Sequence, residues 1–280
     1  MFPFLLAVTN VQNLNNPQDN FEKESLPCLD ELYNLALRLT GSEKTAYKLL
    51  LETQKKAFHF YDHLDISIDF KSWIFRVLRN TYNDTYKKKM SVDKTGYGAI
   101  MDFVEKMRTS VDFSNLKEKI NKLTPDEITE EVSSLPDEFK MAIVMHDIEG
   151  FTYEETAGFV DVPSGTLRSR LHRGRKMLFA KLYNHAADKG YVEKITMNME
   201  KEDINESRDL YFIAALSDGE INNPAEEEKI RKEIERNTAL KFEFDVQLFV
   251  KILIPEKLKT SNVSLKFKKK LFRKIKSKGN

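Results

Sequence analysis

The sequence is poor in the residues that crosslink or interrupt a chain. It contains one cysteine, Cys28, which excludes an internal disulfide framework and a cysteine-rich zinc site. Ten glycines and eight prolines among 280 residues are about half the usual share, which favours a mainly helical chain. No stretch reaches the ~18 apolar residues that span a bilayer, and the apolar start Met1–Val8 lacks the charged flank of a signal peptide. We therefore expect a cytoplasmic protein without membrane insertion.

The chain also lacks a net charge, since 45 Lys and Arg against 44 Asp and Glu leave +1. The charges are nevertheless segregated along the sequence: bases gather in 163–183 and after residue 256, and acids gather in 200–240. Near-neutrality therefore does not exclude a nucleic-acid partner. No nucleophile–base pair or metal-ligand set is recognisable, so the sequence predicts no enzyme, no cofactor and no metal.

Apolar residues recur at helical spacing through most of the chain, which predicts an all-α fold of two helical domains with a C-terminal helical extension. A segment rich in Asn and Gln precedes the first domain, and a segment with weak periodicity separates the two domains. The predicted divisions are 1–26 (disordered), 27–90 (first domain), 91–133 (partly helical linker), 134–190 (second domain) and 194–280 (extension).

The second domain has the pattern of a helix-turn-helix. Short helices are predicted over Phe139–Asp147 and Tyr153–Val160, then a turn at Asp161–Pro163 and a third helix over Ser164–Leu182. This third helix is rich in bases and contains no acid, as a helix that enters a phosphate-lined major groove requires. A solvated basic face on an ordinary three-helix bundle is the alternative. The residues predicted to contact duplex DNA are Ser164, Thr166, Arg168, Ser169, His172, Arg173 and Lys176.

Five motifs carry a resemblance to a known family. Leu135–Phe139, Asp147–Ala157 and Gly165–Arg175 resemble the C-terminal, −35-reading domain of extracytoplasmic-function (ECF) sigma factors. Leu32–Gly41 and Phe70–Asn80 resemble the N-terminal domain of the same family, in the same order. The resemblance implies an alternative sigma factor that binds core RNA polymerase, recognises two promoter elements and helps to melt the −10 element. Other helix-turn-helix regulators share the second pattern, so a regulator that binds duplex DNA without polymerase is the alternative.

The resemblance also implies two sites in the first domain. The helix from about Asp69 to Lys89 would handle the −10 element through a polar, basic stripe: Arg76, Arg79, Asn80, Asn83 and Lys87. The helix containing Tyr47–Gln54 would bind core polymerase through Leu49, Leu50, Glu52 and Thr53. The two acids that begin this stretch in the family are absent here, although Glu52 is retained.

The extension is acidic, with twelve acids against six bases in Glu200–Leu240, and it ends in a basic tail, Lys266–Lys278. Leu216–Ile221 resembles the start of an anti-sigma domain. The zinc-ligand positions of such domains are occupied by Glu233, Asn237 and Leu240, so no zinc is expected. An acidic segment tethered beside a basic helix predicts autoinhibition. An acidic appendage or a dimerisation element is the alternative, and a separate anti-sigma factor is a further expected partner. The tail would contact DNA, an anionic membrane or the acidic segment, or remain solvated.

Overall fold

The computed structural model describes residues 17–65, 67–86, 94–195, 209–258 and 262–276. All regular secondary structure within these ranges is helical, which confirms the predicted all-α class. The helices in chain order are α1 (Pro17–Thr40), α2 (Glu43–Phe60), α3 (Phe70–Tyr86), α4 (Lys94–Ser110), α5 (Phe113–Ile120), α6 (Pro125–Ser133), α7 (Asp137–Ala142), α8 (Tyr153–Val160), α9 (Ser164–Asp188), α10 (Asp209–Asp218), α11 (Pro224–Arg236), α12 (Thr238–Lys257) and α13 (Leu265–Lys276). A 3-10 turn, Tyr61–His63, follows α2, and a π-helical segment, Ile143–Ile148, continues α7.

The N-terminal unit is formed by α1, α2 and α3, which pack on one another through fully buried apolar side chains such as Leu35, Leu50 and Phe75. The predicted disorder of 1–26 is wrong from Pro17 onward, because α1 begins there. Phe21 is 1% exposed and its ring packs edge-on against neighbouring aromatic rings, so an apolar contact orders a segment of polar composition. Residues 1–16 lie outside the described residues.

The predicted linker is folded over the part that the structure describes. Helices α4, α5 and α6 all pack on α9, and each contributes buried apolar side chains. Two of the expected helix breakers are accommodated: Gly98 lies inside α4, and Pro125 occupies the first turn of α6, where its missing N–H is not needed. Thr124 caps that helix in a reciprocal pair with Glu127.

The helix-turn-helix forms where the sequence predicts it. Thr152 and Glu155 cap the start of α8 reciprocally, and Asp161 ends this helix in the left-handed region with φ 57°. α9 then begins at Ser164 and runs to Asp188, six residues beyond the predicted end. Gly174 allows α9 to approach α7, because a Cβ there would lie 3.2 Å from Phe139.

The C-terminal extension joins the same core. Helices α10 and α12 pack along α9, and α11 packs on α12. Phe242 and Phe249 of α12 meet Phe179 of α9 and Phe113 of α5, with ring centroids 5.5 to 6.4 Å apart. α13 lies apart from these helices, against α2 and α1. The extension therefore contacts both helical units of the chain.

Candidate nucleic-acid interface and its C-terminal cover

The residues predicted to contact duplex DNA divide into two groups along α9. Ser164, Thr166, Ser169 and Arg173 are exposed. Arg168 is half-buried, with its guanidinium 5.3 Å from the centroid of the Tyr153 ring. The other two, His172 and Lys176, are 6% and 7% exposed. The structure therefore leaves the first turns of α9 open to solvent and covers one side of the following part, where Arg173 stays exposed between His172 and Lys176.

The cover over His172 and Lys176 is a carboxylate of α12. Lys176 Nζ lies 2.6 Å from Glu243 Oε1, and His172 Nε2 lies 3.4 Å from Glu243 Oε2. Gln247, one turn further along α12, donates to the backbone carbonyl of His172 at 3.2 Å. Burial opposes ionisation of Glu243, but the neighbouring His172 and Lys176 outweigh it and lower the pKa of this carboxyl. A buried anion thus occupies the space beside two residues predicted to meet DNA.

A second charged contact surrounds Arg175, which is fully buried. Its guanidinium donates to both oxygens of Asp147 at 2.9 and 2.6 Å and to both oxygens of Asp218 at 3.1 and 2.7 Å. Asp218 belongs to α10 and also accepts from the Tyr153 hydroxyl at 2.6 Å. Burial would raise the pKa of Asp218, but the His146 and Arg175 side chains outweigh it and lower the pKa well below its usual range.

Arg175 was not singled out in the sequence analysis, although its spacing along α9 indicates a buried arginine that needs an acidic partner. It follows Leu167 and Leu171 at helical spacing and precedes Leu178, so it lies on the inward stripe of α9. A base on such a stripe requires a buried acid as its partner. Asp147 meets that requirement within the helix-turn-helix, and Asp218 adds a second acid from the extension.

The same network contains one group of side chains with metal-ligand chemistry among the described residues: His146, Asp147 and Asp218, whose ligand atoms lie within 4.8 Å of one another. Arg175 already bridges both carboxylates, so the positive charge that a metal would supply is present. His146 Nδ1 faces the Phe151 carbonyl oxygen at 2.9 Å and therefore donates to it. Its Nε2 lies 3.8 Å from Asp218, which makes His146 a member of the ion network.

The residues predicted for the −10 element lie on α3, beside the helix-turn-helix. Arg76 and Asn80 are exposed, whereas Arg79 and Asn83 are half-buried; Lys87 lies outside the described residues. The Arg79 guanidinium stacks over the Phe159 ring of α8 at 5.5 Å, and its nitrogens donate to Asn80 Oδ1 at 3.1 and 3.0 Å. Burial lowers the pKa of Arg79. Arg79, one residue of this stripe, therefore forms a contact between the N-terminal unit and the helix-turn-helix.

The residues predicted to bind core polymerase are mostly in the core. Leu49, Leu50 and Thr53 are 0% exposed, and Thr53 donates to the Leu49 carbonyl at 2.8 Å. In this structure the three side chains hold α2 against α1 and α3, so they are not accessible to a partner, and their role in polymerase binding stays a prediction. Glu52 is exposed. The outer face of α2 presents Tyr47 instead, and α13 covers it.

The contact with α13 is aromatic and basic. The Phe267 ring packs edge-on against Tyr33 of α1 and Tyr47 of α2, with centroids 5.1 and 5.4 Å apart. Lys274 Nζ lies 5.3 Å above the Tyr47 ring. Lys268 pairs with Asp30 of α1 at 2.8 Å.

The two helical units are joined directly in the structure. The Tyr82 hydroxyl of α3 donates to Asp137 at 2.7 Å, and Phe75 packs on Phe151 with ring centroids 5.5 Å apart. Arg38 of α1 pairs with Glu149 and donates to the carbonyl of Leu258, which follows α12. One guanidinium therefore links the first unit, the helix-turn-helix and the extension.

The fold and the site define a helical protein of the helix-turn-helix class, and comparisons with known proteins specify it further. Residues 116–178 match the family described as Sigma-70, region 4. This match begins in α5, upstream of the predicted boundary at residue 134, and ends in α9. It includes α6, so helices that the sequence interpretation placed in a linker belong to the matched region.

Alignments with individual proteins are longer than this match and cover more than half of the chain. The chain is 30% identical to the ECF RNA polymerase sigma factor SigE of Mycolicibacterium smegmatis over 161 residues, which cover 57% of this chain and 60% of that protein. It is 24% identical to EcfG of Rhodopseudomonas palustris over 173 residues, covering 61% of this chain and 89% of that one. SigW of Bacillus subtilis is 25% identical over 156 residues, 53% of this chain and 81% of that protein.

A solved structure, the sigma factor RpoE in complex with the anti-sigma factor NepR from Bartonella quintana, matches with a TM-score of 0.44 and 22% identity, covering 59% of this chain and 97% of that one. The sequence comparisons confirm the predicted resemblance: the chain is similar to ECF sigma factors over more than half of its length, and residues 116–178 match sigma-70 region 4. None of the helices in the described ranges is long and apolar enough to cross a membrane.

Proposed function

We propose that the protein is an alternative sigma factor of the ECF type. It binds core RNA polymerase, recognises the −35 and −10 promoter elements and helps to melt the −10 element, with no catalytic centre of its own. Its N-terminal unit is α1–α3, its −35-reading unit is α5–α9, and α10–α13 form a regulatory extension. The observation that carries this proposal is the alignment with ECF sigma factors over more than half of the chain.

The exposed part of α9 has the chemistry that promoter reading requires. Arg168 and Arg173 carry guanidinium groups that can fork onto guanine in the major groove, and Ser164, Thr166 and Ser169 can donate to phosphates or base edges. On α3, Arg76 and Asn80 are exposed and suit contacts to the opened strands. Each of these roles is a proposal that substitution can test.

We further propose that the extension holds the protein in an inactive form. The carboxylate of Glu243 contacts Lys176 and His172. Without Glu243 these two side chains could neutralise a DNA phosphate at the same place. DNA must therefore displace α12 before it can use this part of α9. Because α12 is tethered to α9, it competes at high effective concentration.

The packing of the two units supports the same proposal. Elements at −35 and −10 are roughly 25 base pairs apart, which is about 85 Å of duplex at ~3.4 Å per base pair. The longest helix among the described residues, α9, has 25 residues and a length of only about 37 Å. α3 touches α8 through Arg79 and Phe159, so both DNA-facing surfaces lie in one compact body. The units must separate to bind both elements at once.

The alternative function is a helix-turn-helix regulator that binds duplex DNA without polymerase. The exposed first turns of α9 and the burial of Leu49, Leu50 and Thr53 are compatible with it. Such a protein would shift promoter duplexes by itself and would not form a stable complex with the core enzyme.

Promoter-directed run-off transcription with purified core RNA polymerase distinguishes these functions. We expect weak activity from the full chain and stronger activity from two variants. The fragment 1–190 lacks the cover together with its share of the core, and Glu243→Gln loosens the cover but keeps every core side chain. Glu228→Gln, on the exposed face of α11, is the matched control and should behave as the full chain. If none of the four proteins stimulates transcription, the sigma-factor proposal is wrong. If all four stimulate equally, the function stands and the inhibitory role of the extension is wrong.

A further inference from the structure

The twelve residues of α13 form a short, strongly segregated helix. Seven are Lys or Arg and none is acidic; the other five, Leu265, Phe267, Leu271, Phe272 and Ile275, are apolar. At 100° per residue the five apolar side chains occupy one side of the helix, and most of the bases occupy the other. A basic amphipathic helix with Phe and Leu on its apolar face is the pattern of a helix that lies in a membrane interface.

In the structure the apolar side is packed on the protein and most of the basic side faces solvent. Leu271, Phe272 and Ile275 are buried, while Lys269, Lys270 and Arg273 are exposed. Leu265 is 75% exposed, so the apolar face of α13 extends beyond the surface that α1 and α2 offer it. The packing of α13 on α1 and α2 therefore buries only part of its apolar face.

We propose that α13 binds the surface of an anionic lipid bilayer, exchanging its contact with α1 and α2 for insertion of the same apolar face among the lipids. The two environments bury similar side chains, so the apolar contribution roughly cancels in the exchange. The exposed bases then decide the outcome, since they gain the attraction of an anionic surface only at the bilayer. Leu265 becomes buried there as well. This inference does not depend on the proposed sigma-factor function.

A nucleic acid is the other polyanion that the basic side could meet. It would bind α13 in place, through the bases alone, and would leave Leu265 exposed. A bilayer uses both faces at once, and the exposed apolar residue at the start of the helix favours it. The two partners therefore differ in their dependence on Leu265, which makes this residue the diagnostic position.

The test is sedimentation of the full chain with vesicles of equal parts phosphatidylglycerol and phosphatidylcholine, and with vesicles of phosphatidylcholine alone. We expect binding to the anionic vesicles that weakens as salt is raised. Each base near an anionic surface contributes about fivefold in affinity, so the triple variant Lys269→Gln, Lys270→Gln, Arg273→Gln should bind on the order of 100-fold more weakly. The matched control removes three exposed bases of α11 and α12, Lys229, Arg236 and Lys241, and should bind as the unsubstituted chain does.

Leu265→Ser removes an apolar side chain that touches little in the folded chain, so the fold is retained. We expect it to weaken vesicle binding several-fold and to leave the binding of a non-promoter DNA duplex unchanged. Absence of binding to anionic vesicles, or equal binding to both vesicle types, overturns the proposal. So does loss of duplex binding in the triple variant when vesicle binding is unaffected, because α13 would then be a nucleic-acid element.

Discussion

The extension docks on the rest of the chain through two surfaces of opposite character. Against α9, it places the carboxylates of Asp218 and Glu243, which ion-pair with buried bases at 2.6 to 2.7 Å. Against α1 and α2, it places the apolar side of α13, with Lys268–Asp30 as a partly exposed ion pair. The first surface adds exact charged partners to its apolar contacts at Phe242 and Phe249, whereas the second depends mainly on apolar area.

This difference determines how much stability each contact loses when one of its residues is substituted. Removing one member of a buried ion pair leaves the other charged and desolvated, so the loss is large and specific. Apolar contacts are tolerant, because a different apolar environment replaces them at little cost. We therefore expect the α9 surface to hold the extension in register and the α13 surface to be the exchangeable one.

The largest effect is expected from Asp218→Asn, which leaves the buried Arg175 with Asp147 as its one acidic partner. Breaking a buried pair in this way costs roughly 3 to 5 kcal/mol, and retention of Asp147 places the expected loss near the lower figure. Urea denaturation of both proteins measures it. Glu228→Gln breaks an exposed pair on α11 and should cost less than about 0.5 kcal/mol. Equal losses in the two variants would contradict the contrast drawn above.

A smaller effect is expected from Glu243→Gln, because the amide can still accept a hydrogen bond from Lys176. Loss of the charge should cost about 2 kcal/mol of docking free energy. If docking limits access to α9, affinity for a −35 duplex should rise by up to about 30-fold. Fluorescence anisotropy with a labelled duplex measures this change. Unchanged affinity would show that DNA does not compete with α12.

Leu271→Ala tests the tolerant surface. A buried Leu→Ala change ordinarily costs ~2 to 5 kcal/mol, but α13 can detach and so avoid the cavity. We expect a global loss of only about 1 to 2 kcal/mol, accompanied by faster tryptic cleavage after the lysines of α13. A full-sized loss with unchanged cleavage would mean that α13 is as firmly fixed as α12.

The smallest effect concerns pH and His146. Burial would lower the pKa of His146, but Asp218 and Asp147 outweigh it and raise the pKa above its ordinary value. A raised folded-state pKa stabilises the docked form below about pH 6.5, and this contribution is lost as the pH rises through the raised pKa. The free energy of unfolding should therefore fall between pH 6 and pH 8 by more than it does in His146→Gln. Identical pH profiles of the unsubstituted chain and His146→Gln would show that His146 does not contribute to the ion network.

Local pattern was sufficient to predict the all-α class and the helix-turn-helix, because these depend on residues close in sequence. The cap of α8 and the turn at Asp161 are of this kind. Local pattern missed the start of α1, however, and gave 91–133 only as a partly helical linker. The acidic composition of the extension predicted a contact with the basic helix but not the residues that make it. Asp218 and Glu243 form the ion pairs with α9, whereas Glu227 and Glu228 pair within α11. Such pairings depend on how helices far apart in sequence cross, and helical periodicity carries no information on that crossing.

The same limit explains why several predicted contact residues are buried in the structure. Leu49 and Leu50 match a family motif and also lie on the inward-facing apolar stripe of α2, and in the structure both side chains are buried in the core. His172 and Lys176 satisfy the outward stripe of α9, and they are buried only because a later segment covers them. A stripe gives the direction of a side chain but does not reveal which distant element lies in that direction.

The two acidic partners of Arg175 also set the order in which the chain can assemble. Asp147 precedes it by 28 residues, and Asp218 follows it by 43. During synthesis the arginine therefore emerges with one acid already available, and its charge is neutralised before α10 exists. The helix-turn-helix can fold on the ribosome as a low-contact-order unit, and the extension docks on it afterwards. Each newly made chain thus passes through an interval with α9 uncovered, and the length of that interval is set by translation.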